Sequence, residues 1–282
     1  MTRIGAHVSA AGGLYNAFAH ARAIGAECMQ IFGSSPRQWA VRYPDKIIAA
    51  KFRALAKTSG VRPIFLHAPY LASLATPNKF IRSQSIKSLI GHLRIAEMLG
   101  ATGLIFHLGS AKTSTVEEAV KATVAGMQEV LRAVPGKTLL IMENSSGGGN
   151  KLGKDVAGIA HILKKVRSPR VKVCFDTAHA FQSGMIPDYT PKNIRKFFDL
   201  WDKEIGVKNI VVVHANDSKT AAGSNHDRHE NIGKGYLGLR SFRKLAREAR
   251  LAGQPWILEV PGFSDEGPDR KNIELLRSCL KG

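Results

Sequence analysis

Eight short apolar runs recur along the chain, each followed by a longer segment of helical period, and no other feature constrains the fold so tightly. The runs are Arg3–His7, Cys28–Phe32, Pro63–His67, Gly103–His107, Thr138–Glu143, Val171–Asp176, Asn209–His214 and Pro255–Glu259. Their hydrophobicity is nearly continuous, the mark of parallel strands covered on both faces. Between them, 78–99 carries Ile81, Ile86, Leu89, Leu93 and Ile95 through a polar background. The segments 116–134 and 191–205 read the same way, the latter with Pro191 at its start. Gly25, Gly60, Gly100 and Gly253 stand where helices close before the next strand. Eight units in 282 residues average about 35 residues each, the size of one βα repeat. The expected architecture is an α/β fold, a (β/α)8 TIM barrel. An open doubly wound sheet uses the same alternation, but no Gly-x-Gly-x-x-Gly follows the first strand. No linker or low-complexity stretch interrupts the pattern, so one barrel domain is expected over residues 1–282.

The last residues of these strands carry the chemistry. Six consecutive strands end in His67, His107, Glu143, Asp176, His214 and Glu259, all of metal-binding type. In a barrel such ends converge on the face where active sites are built. Any one of them could be an ordinary cap or loop anchor, but six at one structural position is not an accident of composition. The stretch VVVHANDSKTAAGSNHDRHENIGKG, residues 211–235, then adds a loop bearing Asp227 and His229. In an extended segment these two side chains point the same way. Asp176-Thr177-Ala178-His179 supplies a further imidazole. One zinc ion takes about four ligands, so nine candidates imply two or three metals. A mixed His and carboxylate set without thiolate suits Zn²⁺, with Mn²⁺ or Fe²⁺ as alternatives. Four carboxylates against three divalent ions leave a surplus of about two positive charges, attractive to phosphate oxygens.

Charge points the same way. Lys and Arg outnumber Asp and Glu by 41 to 22, a net +19, which favours a polyanionic partner such as nucleic acid. The three cysteines are far apart, imply no disulfide framework and indicate a reducing compartment. The N-terminus lacks a signal-peptide layout and no segment is long and apolar enough to span a bilayer. A cytoplasmic chain is expected, with no membrane partner.

The motif strings resemble the endonuclease IV family of zinc-dependent apurinic/apyrimidinic endonucleases. They are IGAHVSAAGG, FLHAPYL, FH at His107, MENSSGGG, CFDTAHAF, VVHANDSK, DRHENIGKG and LEVPG, and they run from Ile4 to the C-terminus. The resemblance implies three Zn²⁺ per chain, with Mn²⁺ able to substitute. One would be held by His67, His107 and Glu143, a second by Glu143, Asp176, His214 and Glu259, and the third by His179, Asp227 and His229. Glu143 would bridge, making it the catalytic carboxylate. A hydroxide generated there would attack the phosphate 5′ to an abasic site in damaged double-stranded DNA, leaving a 3′-hydroxyl and a 5′-deoxyribose phosphate. Removal of blocking groups from 3′ ends is implied as well. Arg37 in SSPRQW, with Tyr70 and Leu71, would enter the duplex while the sugar is flipped out. The family implies a monomer, associated with the nucleoid in a prokaryote.

Two positions depart from the common pattern: Leu108 after His107, where proline is frequent, and Lys234, where an acidic residue is common. Neither is a ligand; Lys234 is a candidate phosphate contact. His20, His92 and His161 read as surface or packing residues, and His7 as a neighbour of the site rather than a ligand. Gly147-Gly148-Gly149, without a following Lys-Ser/Thr, reads as a flexible turn rather than a P-loop. Two rival functions remain from sequence: a sugar isomerase or epimerase on the same barrel, with fewer metal ligands, and a non-catalytic DNA-binding protein with structural zinc.

Overall fold

Continuous apolar strands must be covered on both faces, and here a ring of helices covers one face while the barrel interior covers the other. The computed structural model describes residues 2–280. Its strands are β1 (Ile4–His7), β2 (Cys28–Phe32), β3 (Ile64–His67), β4 (Gly103–His107), β5 (Leu139–Glu143), β6 (Val171–Asp176), β7 (Ile210–His214), β8 (Asp217–Ser218), β9 (His229–Glu230) and β10 (Trp256–Leu258). Eight of them close a barrel in the order β1-β10-β7-β6-β5-β4-β3-β2, every pairing parallel. The remaining two, β8 and β9, form an antiparallel ribbon. The helices are α1 (Ala17–Ile24), α2 (Lys46–Thr58), α3 (Lys79–Leu99), α4 (Val116–Ala133), α5 (Val156–Val166), α6 (Thr177–Gln182), α7 (Pro191–Glu204), α8 (Gly238–Leu245) and α9 (Arg270–Leu280). The TIM barrel expected from the alternation is the fold.

Element ends follow from capping chemistry. Asn78 accepts from the Ile81 amide at 3.0 Å, so α3 starts one residue later than the periodicity indicates. Thr115 and Glu118 form a reciprocal capping box on α4. Gly25 and Gly100 close α1 and α3 in left-handed geometry. Gly253 instead follows a 3-10 turn, Ala249–Leu251, and not an α-helix. The last barrel strand stops at Leu258, which leaves Glu259 one residue beyond it. Outside the barrel, Phe175 of β6 meets Phe197, Phe198 and Trp201 of α7 with ring centroids 5.4–6.0 Å apart. Each such pair adds about 0.5–1.5 kcal/mol beyond its burial.

The interior is layered. Cys28, Phe65, Ile105, Ile141, Cys174, Val212 and Ile257 form a buried apolar plug inside the barrel. Strand side chains alternate, so the residues two positions on make the next layer towards the strand C-termini. That layer is Gln30, His67, His107, Glu143, Asp176, His214 and Glu259, completed by His7, two residues beyond Gly5. One stratum therefore separates a dry plug from a polar floor. Gly5 is required where β1 meets β2: a β-carbon there would overlap the Cys28 carbonyl oxygen and sit 2.7 Å from its Sγ. Gly5→Ala is expected to destabilise the fold by about 1–3 kcal/mol, the cost of overpacking, as a lowered urea midpoint at unchanged m-value.

Candidate metal centre

Asp176 ends β6 and also caps α6. Its Oδ1 accepts from the His179 amide at 2.6 Å, which turns the chain sharply and sets His179 one turn into the helix, facing back over the barrel mouth. Asp217 organises the long loop after β7. This fully buried carboxylate accepts from the amides of Gly233, Gly235, Leu237 and Gly238 at 2.9–3.3 Å. Gln182 of α6 donates to the Arg228 carbonyl at 2.8 Å. With the β8–β9 ribbon, these bonds bring Asp227 and His229 over the floor.

The nine candidate ligands converge there. His67, His107 and Glu143 offer donor atoms within 4.8 Å of one another; so do Glu143, Asp176, His214 and Glu259, and so do Asp176, His179 and His229. Asp227 approaches from the loop, with Oδ1 3.0 Å from His179 Nε2 and 3.7 Å from His229 Nε2. Glu143 is shared: its Oε2 faces His67 Nε2 at 3.3 Å and its Oε1 faces His214 Nδ1 at 3.2 Å. All of this lies in or below a cavity of about 910 Å³, whose rim includes Lys112, Lys151 and Arg228.

The imidazoles are oriented as ligands would be. His67 Nδ1 donates to the Ala68 carbonyl at 2.7 Å and His179 Nδ1 to the Asn144 carbonyl at 2.9 Å. His214 Nε2 faces Gln30 Oε1 at 2.8 Å. In each ring this leaves the other nitrogen turned into the cluster, the arrangement by which an outer partner fixes a metal-binding tautomer. His229 Nε2 is buried with no hydrogen-bond partner at all. A buried nitrogen without a partner is costly, and a divalent cation among His179, Asp176 and Asp227 would satisfy it. The donor set, nitrogen and carboxylate oxygen with no available thiolate, suits Zn²⁺ or Mn²⁺. Cys174 also approaches Glu143 and His214. Burial pushes its thiol pKa up to about 12, however, so it remains an inert thiol.

Electrostatics without metal show how closely packed these charges are. Burial alone would raise the Glu143 carboxyl, but His107 and His214 hold it well below the ordinary carboxylate range. Burial disfavours imidazolium at His214, yet the Glu259 and Glu143 carboxylates, 3.1 and 3.2 Å from its Nδ1, carry its pKa well above the usual value. His179 is raised in the same way by Asp176 and Asp227. Burial drives His107 down to about 4. Asp176 is raised by burial and by the Glu143 charge.

Other sequence expectations divide. Tyr70 lines the cavity, is 70% exposed and packs edge-on against Phe32 at 5.7 Å. Leu71, 39% exposed, and Arg37, also exposed, sit on neighbouring loops outside the cavity lining. Lys234 is exposed and likewise outside it. His20 and His161 are exposed, while His92 is buried and donates to the Ser88 carbonyl at 2.8 Å. The glycine run is a pinned turn rather than a loose one. Gly147, Gly148, Gly149 and Asn150 all have positive φ, and the turn is tied to the β4 loop by the Ser110–Lys151 bridge and by Ser110 Oγ donating to the Gly149 carbonyl.

Sequence reasoning missed three amides. Asn216 donates to Asp176 Oδ2 at 2.7 Å and its Oδ1 accepts from the Glu259 amide at 2.7 Å. Asn144 accepts from the Asp176 amide at 2.6 Å and donates to the Asp176 carbonyl at 3.0 Å. Gln30 spans Glu259 and His214. For Gln30 the available signal was a polar residue inside a doubly covered strand, since buried polar groups need partners; Asn144 and Asn216 follow the ends of β5 and β7, where a polar residue is ordinary.

Comparison with known proteins gives this geometry its relatives. A family described as xylose isomerase-like TIM barrel matches residues 18–279. The probable endonuclease 4 of Aquifex aeolicus (strain VF5) is 35% identical over 282 residues, spanning 100% of this chain and 99% of that protein. The chain belongs to the endonuclease IV family. A crystal structure of endonuclease IV from Thermus thermophilus superposes with a TM-score of 0.86 at 31% identity, covering 99% of both chains. A D-tagatose 3-epimerase-like protein shares the fold, with a TM-score of 0.75 at 19% identity. Endonuclease IV membership thus rests on sequence as well as shape, whereas the likeness to sugar epimerases is one of fold. Among the described residues no helix is long and apolar enough to cross a membrane.

Proposed function

We propose that this chain is a metal-dependent apurinic/apyrimidinic endonuclease that hydrolyses the phosphodiester 5′ to an abasic site in duplex DNA. The products would be a 3′-hydroxyl and a 5′-deoxyribose phosphate, and the same site would clear blocked 3′ ends. The observation that carries this reading is the convergence of nine His, Asp and Glu side chains in contiguous clusters that share Glu143 and Asp176. Three Zn²⁺ ions are proposed, held by His67, His107 and Glu143; by Glu143, Asp176, His214 and Glu259; and by His179, Asp227 and His229. When bound, such ions lower the pKa of water and neutralise charge that develops on the attacked phosphate. Glu143 aligns two of the clusters through its two oxygens, and Asp227 and His229 close the third from the loop. Lys112, Lys151 and Arg228 on the rim draw the phosphate backbone inward. Analysis of the cut ends tests the reaction: direct extension of the new 3′ end by a polymerase is expected, and a blocked 3′ end would contradict it.

A lesion that lacks a base must be found without reading one. The exposed Arg37, with Tyr70 and Leu71 beside His67, is proposed to enter the duplex and hold open the gap while the sugar is flipped out. Truncating Tyr70 and Leu71 together to Ala is expected to cut discrimination between abasic and intact duplex by about ten-fold or more, since stacking on one base is worth about 1–3 kcal/mol. Equal discrimination by the variant would remove both residues from recognition. The net charge of +19 further predicts steeply salt-dependent binding to undamaged DNA. Log affinity should fall with log salt by about 0.9 per phosphate neutralised. A slope near zero would show that the basic surface faces some other partner.

A further inference from the structure

Gln30 takes no part in the metal sets described above, yet it is fully buried at the centre of the polar floor. Its Nε2 lies 2.5 Å from Glu259 Oε1 and 2.8 Å from His7 Nδ1, and its Oε1 lies 2.8 Å from His214 Nε2. The orientation of the amide is decided by its neighbours. A carboxylate only accepts, so the NH₂ end must face Glu259 and the carbonyl end must face His214. His214 Nε2 must then be the donor, which leaves Nδ1 turned towards Glu143 Oε1 at 3.2 Å and Glu259 Oε2 at 3.1 Å. The second amide hydrogen meets His7 Nδ1, so the 3.4 Å approach of His7 to Glu259 Oε1 is a contact between two acceptors rather than a bond. Glu259 is thereby divided: Oε1 is tied to Gln30, and Oε2 is left for the cluster.

We propose that Gln30 is a positioning residue for the middle metal set, clamping His214 and Glu259 so that His214 Nδ1 and Glu259 Oε2 face one shared divalent cation with Glu143 and Asp176. This rests on the metal-dependent reading above. One amide sets two of the four ligands of that set and makes no hydrogen bond to His67, His107, His179, Asp227 or His229. Its loss therefore acts selectively on one site. Outer partners of this kind are worth roughly ten- to hundred-fold in metal affinity.

Zinc occupancy, measured site by site, tests this. Crystals of the full-length protein, of Gln30→Met (similar length, no hydrogen bonds) and of Gln30→Glu (an oxygen kept for His214) would be equilibrated with Zn²⁺ buffered by a chelator. Anomalous scattering at the zinc edge then reads each site in the same molecule. In Gln30→Met the site of Glu143, Asp176, His214 and Glu259 is expected to need roughly ten- to hundred-fold more free Zn²⁺ for half occupancy than the site of His67 and His107. Gln30→Glu keeps the oxygen for His214 but sets a second acceptor against Glu259 Oε1, so it too should raise the free Zn²⁺ needed at that site relative to the site of His67 and His107, and it serves as the test if Gln30→Met does not fold. An unchanged ratio between the two sites would overturn the role of Gln30 and leave the nuclease reading intact. So would equal losses at every site, which mark general damage. No zinc at any site of the unaltered protein would overturn both.

Discussion

Glu143→Gln is expected to lower abasic-site incision by about 10³-fold or more while leaving binding of intact duplex within a few-fold of the parent. Glu143 is 1% exposed, lies on the floor of the barrel and faces His67 with one oxygen and His214 with the other. An amide of the same shape keeps the packing but carries no charge and offers one oxygen where two are used. It therefore weakens two adjacent cation sets at once, and a loss of ~4 kcal/mol of transition-state stabilisation corresponds to about that factor. Single-turnover incision at saturating enzyme separates the chemical step from binding. A variant that keeps more than a tenth of the parental rate would take Glu143 out of the reaction.

Removing the metals should be as severe for activity and should have a defined pH signature in stability. Chelation is expected to abolish incision, and added Zn²⁺ or Mn²⁺ to restore it. In the metal-free chain His179 and His214 have raised pKa values, so their protonated forms contribute stability that is present at low and neutral pH and lost as pH rises through those values. Glu143 and Glu259, both held low, contribute stability that is lost only as pH falls through their depressed values. Metal must displace the imidazole protons, so its affinity moves the other way and grows as pH rises. The difference in Tm between loaded and metal-free protein should therefore widen from mildly acidic to alkaline pH. A gap that is constant or narrows on raising the pH would mean that these histidines do not receive the metal.

Much of the site is legible in residue order because a parallel barrel turns sequence position into height. Each strand runs the same way, so a polar residue at the C-terminal end of an apolar run falls in the same stratum as its counterparts. His67, His107, Glu143, Asp176 and His214 group together on that ground alone. Glu259 belongs with them even though its strand stops at Leu258. Depth within a strand is harder to read. Gln30 sits two residues before the end of β2, and His7 and Gln30 pair across β1 and β2 in the same layer. Only the barrel's stagger shows that they complete the ring. The loop ligands are legible as a motif, but their placement is not. Asp227 and His229 are aimed by Asp217, whose carboxylate gathers amides 16–21 residues away. The glycine turn at 147–149 reads as loose in sequence because composition reports conformational freedom and not the hydrogen bonds that remove it.

The most direct test of the central claim is incision of an end-labelled duplex carrying one abasic analogue, without added Mg²⁺, beside a His67→Ala control. His67 is 2% exposed and faces the shared carboxylate Glu143 at 3.3 Å, so its removal opens one cluster at the carboxylate that two clusters share. The account predicts a single cut 5′ to the lesion, lost in the control and absent from an undamaged duplex. No cut after loading with Zn²⁺ or Mn²⁺ would contradict it.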